Sequence, residues 1–207
     1  MKERPILFSG PMVRAILEGR KTVTRRVMKP QPDFLGSMVD PNTPFKTLDA
    51  GLHARITCPH GQPDDRLWVR EAWAADAQVD AIAPRDLSQG EPIWYPADFS
   101  VRQTGCSMIS KGRGRPSIHM PRWASRILLE ITAVRVERLQ DISEEQALAE
   151  GVRSEPCDHA RQACSDIGCW GDTAKGAFGF LWEQLNGAGA WQANPWVWVI
   201  EFKRVAP

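Results

Sequence analysis

The residues best suited to chemistry lie close together near the amino terminus. Residues 19–26 read GRKTVTRR, which places Lys21 and Thr24 among three arginines, Arg20, Arg25 and Arg26. Because like charges repel, such crowding indicates that the segment meets an anionic group or keeps a lysine ready to accept a proton. The alternative is a solvated basic loop, which is the usual role of a short basic run.

The residues before this segment predict where it lies in the fold. Residues 6–8 are a short apolar strand candidate, and Ser9 and Pro11 are typical of the start of a helix over residues 12–18. Gly19 is a stop signal for that helix. We therefore expect the basic segment to leave a helix carboxyl terminus.

Apolar periodicity and capping residues indicate the other elements. Strands are predicted over residues 66–73, 125–139 and 196–205. Ser143 and Gln146 form a capping-box signature for a short helix that ends at Glu150. Residues 178–185 predict a further helix, which Gly187 closes. Strands separated by helices in this order predict the α+β class, built on a mixed or barrel-like sheet.

Composition limits the class of protein. The 207 residues suffice for a single domain with insertions, for which the irregular stretches at about 30–60, 76–115 and 153–175 are candidates. The 26 basic and 25 acidic residues nearly cancel, so a protein that binds mainly through phosphate-backbone contacts is not expected. The chain shows no signal-peptide pattern and no apolar run of about 18 residues, which favours a cytoplasmic protein.

The cysteines raise a metal hypothesis. Five cysteines without an export signal favour reduced thiols or a metal site over a disulfide framework. The pattern C-x-H-x4-C-x4-C supplies four possible ligands of a structural zinc ion, Cys157, His159, Cys164 and Cys169. Its spacing matches no common zinc finger, so free thiols in a loop are the alternative. No metal is expected to take part in catalysis.

Several motifs together resemble one protein family. The order Gly19, Lys21, Thr24, Arg26 is similar to the G-x-K-x-x-E/T-x-R signature of ASCH domains, which carry it just after their first helix. The segments DRLWVREAW, IHMPRWASRI and ISEEQALAEGV resemble the longer ASCH proteins of phages and prophages, and VWVIEFKRV resembles the family's final strand. The resemblance covers most of the chain. It implies a PUA-like mixed β-barrel with a few flanking helices and long loop insertions.

The resemblance also implies an activity. One branch of the ASCH family hydrolyses the amide of N4-acetylcytidine and related N4-acylcytosines with a lysine, a threonine and a glutamate. The first two roles carry over to Lys21 and Thr24. The third carries over to Glu150, because the family's glutamate lies near the end of the short helix that ISEEQALAEGV resembles. Many ASCH proteins have Glu at the position of Thr24, so the threonine favours the hydrolase branch.

The chemistry of these three residues fits the cleavage of an amide. The reaction needs a nucleophile, a base that activates it and an acid that protonates the leaving amine. Burial and the neighbouring arginines would lower the pKa of Lys21 from about 10.4, so that it could accept a proton from Thr24. At a helix carboxyl terminus the dipole favours the protonated form of Glu150. In a regular strand Lys21 and Thr24 would point to opposite faces, so their cooperation requires a bend between them.

Other aromatic and polar residues are candidates for binding the substrate, together with Arg20, Arg25 and Arg26. Those that could stack on a base are Trp68, Trp73 and Trp123, and those that could read its edge are Arg70, Glu71, His119 and Arg122. The alternatives are ordinary structural roles. Strand tryptophans usually belong to the core, Glu71 would form an ion pair, and His119 would be a hydrogen-bonded histidine.

The sequence thus predicts an amidohydrolase that removes the acyl group from N4-acylcytosine nucleosides or nucleotides and requires no cofactor. The first alternative is a PUA-like module that binds RNA or DNA at a modified base, with Lys21 and the arginines contacting phosphate. The second is a ribonuclease, since some ASCH proteins are reported to cut RNA. The near-zero net charge argues against broad backbone binding. No membrane partner is expected.

Overall fold

The computed structural model describes residues 1–36, 42–103, 105–153 and 173–206. The chain divides into two compact units. Unit 1 comprises Met1–Glu18, Asp64–Ile131 and Lys203–Pro207, and unit 2 comprises Gly19–Pro63 and Thr132–Phe202. The single domain expected from the length of the chain stays a prediction.

The described residues form strands, α-helices and short 3-10 turns. The strands are β1 (Glu3–Leu7), β2 (Val23–Val27), β3 (Phe34–Leu35), β4 (Pro44–Thr47), β5 (His53–Arg55), β6 (Arg66–Arg70), β7 (Ile93–Tyr95), β8 (Ser100–Arg102), β9 (Leu128–Arg138) and β10 (Trp196–Val205). The α-helices are α1 (Gly10–Leu17), α2 (Glu144–Ala149) and α3 (Ala174–Asn186). The 3-10 turns are Asp49–Gly51, Ala77–Val79, Pro84–Asp86, Ser117–His119, Arg122–Ala124 and Leu139–Asp141.

In unit 1, β6 is the central strand of a three-strand arrangement. It pairs in parallel with β1, from Glu3 opposite Arg66 to Leu7 opposite Arg70, and antiparallel with the beginning of β9. Strands β7 and β8 form a separate antiparallel pair. A core cluster includes Trp73, which is fully buried together with the neighbouring side chains Ala75, Leu87, Ile93, Tyr95, Met120 and Ala124.

In unit 2, β10 lies between the later part of β9 and β2. It is antiparallel to β2, with Val23 opposite Glu201 and Val27 opposite Val197. A hydrophobic core joins this sheet to both helices of the unit, and its buried members are Val23, Leu139, Ile142, Ala147, Ala174, Phe178, Trp182, Trp191, Val197 and Val199. Strands β3, β4 and β5 form a small antiparallel sheet of their own.

The predicted α+β class is confirmed, but the described strands form no closed barrel. Closure requires every strand of the sheet to have two neighbours. In the part of the chain that the structure describes, β1 pairs only with β6 and β2 pairs only with β10. The longest described helix, α3, has 13 residues, and none of the described helices has the length and apolar character that a membrane crossing requires.

Most predicted elements are present, with shifted ends. The capping box of Ser143 and Gln146 forms as predicted, and β10 covers the predicted residues 196–205. Strand β6 ends at Arg70, short of the predicted residue 73, because Trp73 forms an isolated bridge with Arg115 instead. Strand β9 begins three residues later than predicted, after a 3-10 turn.

We predict that Gly112→Ala destabilises unit 1 by about 1–3 kcal/mol, the usual cost of overpacking. A methyl group at Gly112 would lie 2.5 Å from Oδ1 of Asp80 and 2.9 Å from the carbonyl oxygen of Ala75. Gly114→Ala is the matched control, because a methyl group there would meet no atom within 4 Å. Urea unfolding followed by tryptophan fluorescence measures both variants. Equal unfolding midpoints would contradict the prediction.

Candidate functional site

The candidate site of unit 2 is built around the end of α2. The helix begins at a capping box in which Ser143 accepts from the backbone N–H of Gln146 and the Gln146 side chain accepts from the N–H of Ser143. Glu150 is the C-cap, with φ −70° and ψ −8°, and Gly151 turns the chain away at φ +89°. A short helix with both ends fixed by local sequence thus holds Glu150 in place.

The basic segment supplies donors to the carboxyl terminus of this helix. Three consecutive carbonyl oxygens are bound in reverse order by three consecutive residues of the segment. Arg20 Nη1 donates to Gly151 at 2.8 Å, Lys21 Nζ to Glu150 at 2.8 Å, and the backbone N–H of Thr22 to Ala149 at 2.9 Å. Terminal helix carbonyls lack partners within their helix, and cations are favoured there by the dipole. This contact accounts for part of the cationic crowding.

Lys21 is buried against Glu150. Its side chain is 0% exposed and that of Glu150 is 4% exposed. Lys21 Nζ donates to Glu150 Oε2 at 2.6 Å, to the Glu150 carbonyl at 2.8 Å and to the Val23 carbonyl at 2.8 Å. An ammonium group has three protons to donate, and these three acceptors match that number.

Arg25 shares the carboxylate of Glu150 with Lys21. Its Nη1 donates to Glu150 Oε1 at 3.3 Å, and its Nη2 donates to Glu137 Oε2 at 3.0 Å and to Gln146 Oε1 at 2.9 Å. The Arg25 side chain is 0% exposed. Both oxygens of Glu150 therefore accept from cationic donors, which is the arrangement a buried carboxylate requires.

The environment of Lys21 lowers its pKa below the ordinary value of 10.5. The main cause is burial, which disfavours the charged ammonium. The charge and the hydrogen bond of Glu150 oppose this effect, and the charges of Arg26 and Arg25 add to it. The arginines thus act in the direction that the sequence predicts, but they contribute less than burial does.

Thr24 lies on a different face of β2 from Arg25. Side chains alternate along a strand, and Val23 belongs to the core shared with α2 while Arg25 contacts Glu150. Thr24 falls between them, opposite Ile200 of β10, and is 3% exposed. The three hydrogen bonds described for Lys21 Nζ go to Glu150 and Val23. The structure therefore brings together Lys21, Arg25 and Glu150.

A surface cavity of about 570 Å³ lies beside the basic segment in unit 2. It is lined by Gly19, Arg20, Thr22, Leu148, Ala149, Val152 and Arg153. Arg20 and Thr22 line the cavity, whereas Lys21 between them is bound to Glu150 and is not among the lining residues.

The predicted substrate-binding residues beyond residue 60 all belong to unit 1. Glu71 is 1% exposed and forms a two-point ion pair with Arg126, at 2.8 Å to Nε and 2.9 Å to Nη2. Asp98 accepts from the same guanidinium at 2.8 Å. The expected ion pair of Glu71 is therefore present, and its partner is Arg126 and not the adjacent Arg70.

The three tryptophans differ in exposure. Trp73 is 0% exposed within the core cluster of unit 1, so in this conformation it cannot stack on a base. Trp68 is 8% exposed, and the guanidinium of Arg70 lies 4.7 Å from its ring centre. Trp123 packs at the edge of the core cluster, with Arg102 over its ring at 5.7 Å.

The last two predicted residues lie close together in sequence. Arg122 Nε donates to Glu3 Oε2 at 2.8 Å, and both side chains are 40% exposed. His119 ends a 3-10 turn, is exposed, and lines a cavity that Arg70 also lines.

Sequence reasoning missed several partners of these residues. Glu137 and Gln146 bind Arg25, Arg126 binds Glu71, and Asp98 binds the same Arg126. The only available signal was for Gln146, whose place in the capping box fixes its side chain near the helix start. The other three contacts join residues that are distant in sequence.

The zinc hypothesis concerns Cys157, His159, Cys164 and Cys169, which lie outside the described residues. Among the residues that are described, no group of three or more His, Cys, Asp or Glu side chains is arranged to hold a metal ion.

The chain was compared with protein-family models, with curated proteins and with solved structures, and none of them matches.

We predict that Lys21→Met lowers the free energy of unfolding by about 3–5 kcal/mol, because it breaks a buried ion pair and leaves Glu150 with Arg25 alone. Lys46→Met is the matched control. This variant removes the ion pair between Lys46 and Asp33, which has the same length of 2.6 Å but side chains that are 39% and 38% exposed. Such an exposed pair contributes about 0–1 kcal/mol to the free energy of unfolding. Chemical unfolding measures both losses. Similar losses in the two variants would show that the buried pair adds no special stability.

Proposed function

We propose that the chain is an amidohydrolase that removes the acyl group from N4-acylated cytosine nucleosides. The observation that carries the proposal is the contact at 2.6 Å between Lys21 and Glu150. The family resemblance assigns catalytic roles to these two residues, which lie 129 positions apart in the sequence. Their direct contact in a buried site supports the assignment.

The pair has the properties that proton transfer requires. Burial lowers the pKa of Lys21, which increases the fraction of neutral amine available at neutral pH. Lys21 Nζ donates to Glu150 Oε2 across a short hydrogen bond of 2.6 Å, so a proton could pass between the two side chains without solvent. In the proposed reaction the base takes the proton of the attacking hydroxyl, and the acid returns a proton to the leaving 4-amino nitrogen of cytosine.

Thr24 enters the proposal through the resemblance. As nucleophile, its hydroxyl oxygen would form an ester with the acyl carbon while the bond from that carbon to nitrogen breaks, and water would then hydrolyse the ester. The three described acceptors of Nζ belong to Glu150 and Val23, so Nζ would have to exchange one of them for the hydroxyl of Thr24. The role of Thr24 is therefore tested separately from that of the pair.

The proposal places the substrate at the cavity of about 570 Å³ in unit 2. This volume lies within the range of about 300–1,000 Å³ that is usual for small-molecule sites. Since Lys21 and Glu150 are buried, substrate binding has to displace the short segment formed by Arg20 and Thr22, or rotate Lys21 toward the cavity.

The finer fold assignment, a PUA-like ASCH domain, is part of the same proposal. Two arrangements support it. The GRKTVTRR segment follows α1 and continues directly into β2, which is the position of the signature in the family. Strand β10, which resembles the family's final strand, pairs with β2.

The burial of Lys21 and Arg25 disfavours the main alternative. A base-binding module would use Lys21 and the arginines to contact phosphate, but the side chains of Lys21 and Arg25 are 0% exposed and are bound to carboxylates. Surface cations are the groups that give phosphate-backbone affinity.

Release of cytidine from N4-acetylcytidine by the purified protein tests the proposal. We expect turnover in the wild type and a loss of about 100-fold or more in Lys21→Arg and Glu150→Gln, since each removes a proton-transfer group. Lys21→Arg keeps the positive charge but cannot act as a base. Lys46→Gln is the control for an unrelated loss of charge and should retain wild-type turnover.

Thr24→Val tests the nucleophile in the same assay, because valine keeps the shape of the side chain without the hydroxyl. Loss of turnover in this variant supports the assignment of Thr24, and retained turnover refutes it. Circular dichroism and melting curves verify that each variant is folded. If the wild type releases no cytidine from any N4-acylcytosine, the proposal is wrong.

The pH dependence of the rate provides a further prediction. A base must be deprotonated to act, so the rate should rise with pH as Lys21 loses its proton. Because the folded protein lowers the pKa of Lys21, the midpoint of the rise should lie below pH 10.5, the ordinary lysine pKa. Initial rates measured between pH 5 and pH 10 give the profile. This range of about five units covers the pKa shifts that are common at active sites. A rate that rises only near the ordinary lysine pKa would contradict the assigned role.

A further inference from the structure

Unit 1 contains a second cavity, of about 380 Å³, that the proposed function does not use. Its polar lining consists of Arg70, Arg85 and His119, and its apolar lining includes Pro84, Ile118 and Pro121. None of the described residues that line it is acidic. The cavity thus combines two guanidinium groups and an imidazole with an apolar wall.

Arg70 has no ion pair with a carboxylate among the described residues. Its guanidinium lies 4.7 Å from the ring centre of Trp68, which fixes its plane. Its Nε is buried and has no hydrogen-bond partner among the described residues. Other arginines of unit 1 are paired in a different way, as Arg4 is with Asp65 at 2.8 Å and Arg122 is with Glu3 at 2.8 Å.

Arg85 adds a second available charge at the same cavity. Its only described ion pair is with the adjacent Asp86, at 3.6 Å, and the side chains are 87% and 61% exposed. An ion pair this long and this exposed is weak, so Arg85 can easily exchange Asp86 for another anion. Within the described part of the chain, Arg70 thus has no ion pair and Arg85 has only this weak one, so both guanidinium groups can bind an external anion.

We propose that this cavity binds a phosphate-bearing small molecule of the size of a nucleoside monophosphate. The planar fork of an arginine matches the oxygen pairs of a phosphate group, and Arg70 and Arg85 would hold that group between them. The exposed side chains of Ile118 and His119 and the ring of Pro84 would contact the body of the molecule. An inorganic ion alone would leave this apolar wall unused.

The inference is independent of the proposed hydrolase. It concerns residues of unit 1 only, and its readout is equilibrium binding, whereas the hydrolase is tested by turnover. The sequence assigned Arg70 and His119 to reading the edge of a base, and the structure instead points to an anionic group as the ligand of Arg70.

Isothermal titration calorimetry at low salt tests the proposal with four probes: cytidine 5′-monophosphate, inorganic phosphate, cytidine and a short single-stranded RNA. We expect cytidine 5′-monophosphate to bind, and Arg70→Gln to weaken its binding by about tenfold or more, because a charged donor is lost. Arg85→Gln should weaken it by about threefold or more. Arg85 is exposed, so this variant tests the proposal even if Arg70→Gln does not fold.

Arg113→Gln is the matched control, because Arg113 is an exposed arginine of unit 1 that does not line the cavity. Its affinity should stay within about twofold of the wild type, as expected for a screened surface charge. If the monophosphate binds more tightly than inorganic phosphate, the result supports a nucleotide-sized ligand. If the two bind equally, free phosphate is the ligand of the site, and the proposal that the apolar wall contacts a nucleoside is overturned. The proposal is overturned as well if only RNA binds, if cytidine binds as tightly as its monophosphate, or if Arg85→Gln and Arg113→Gln have the same effect.

Discussion

The last carbonyl groups of α2 need hydrogen-bond donors. The residues that donate to them determine how the basic segment is placed in unit 2. Arg20, Lys21 and Thr22 bind the carbonyls of Gly151, Glu150 and Ala149 in turn. This fixes the point at which the chain enters β2 relative to the end of the helix. The position of Lys21 beside Glu150 follows from it, because the residue that caps the second carbonyl also reaches the carboxylate of the same residue.

Charge balance then explains the rest of the cluster. Lys21 and Arg25 are both buried, and a buried cation is tolerated only where it is paired and hydrogen-bonded. Glu150 serves both cations, and Glu137 supplies a second negative charge to Arg25. Gln146 completes the set as a neutral acceptor. Neither cation therefore requires an external anion for its stability. What remains open to a substrate is the proton between Lys21 and Glu150, and this is the feature on which a hydrolase would depend.

Local signals in the sequence were sufficient to predict helix α2. They were insufficient to predict the contacts that its end makes with residues distant in the chain. The capping box at Ser143 and the glycine after Glu150 predict α2 and its ends, because both act within a few residues. The approach of Lys21 to Glu150 was expected only through a family resemblance, since periodicity gives no information on pairs so distant in the chain.

Two other differences have physical reasons. Alternation along β2 places the side chains of Thr24 and Arg25 on opposite faces of the strand, so that only Arg25 is described in contact with Glu150. Trp73 was a candidate for stacking on a base, yet its indole is in the core, and Glu71, two residues before it, is paired with Arg126. The neighbours of a residue in sequence do not determine its neighbours in space.

The 129-residue separation of Lys21 and Glu150 has a consequence for the order of events during folding. Helix α2 with its capping box involves contacts only three or four residues apart, and such contacts form early and at little cost in chain entropy. The lysine can be desolvated only after a very long loop has closed, and the entropy cost of closure grows with loop length. We therefore expect the ammonium group of Lys21 to stay hydrated through most of the folding reaction. We expect its burial to be a late step, in which Lys21 reaches Glu150 after the local structure has formed.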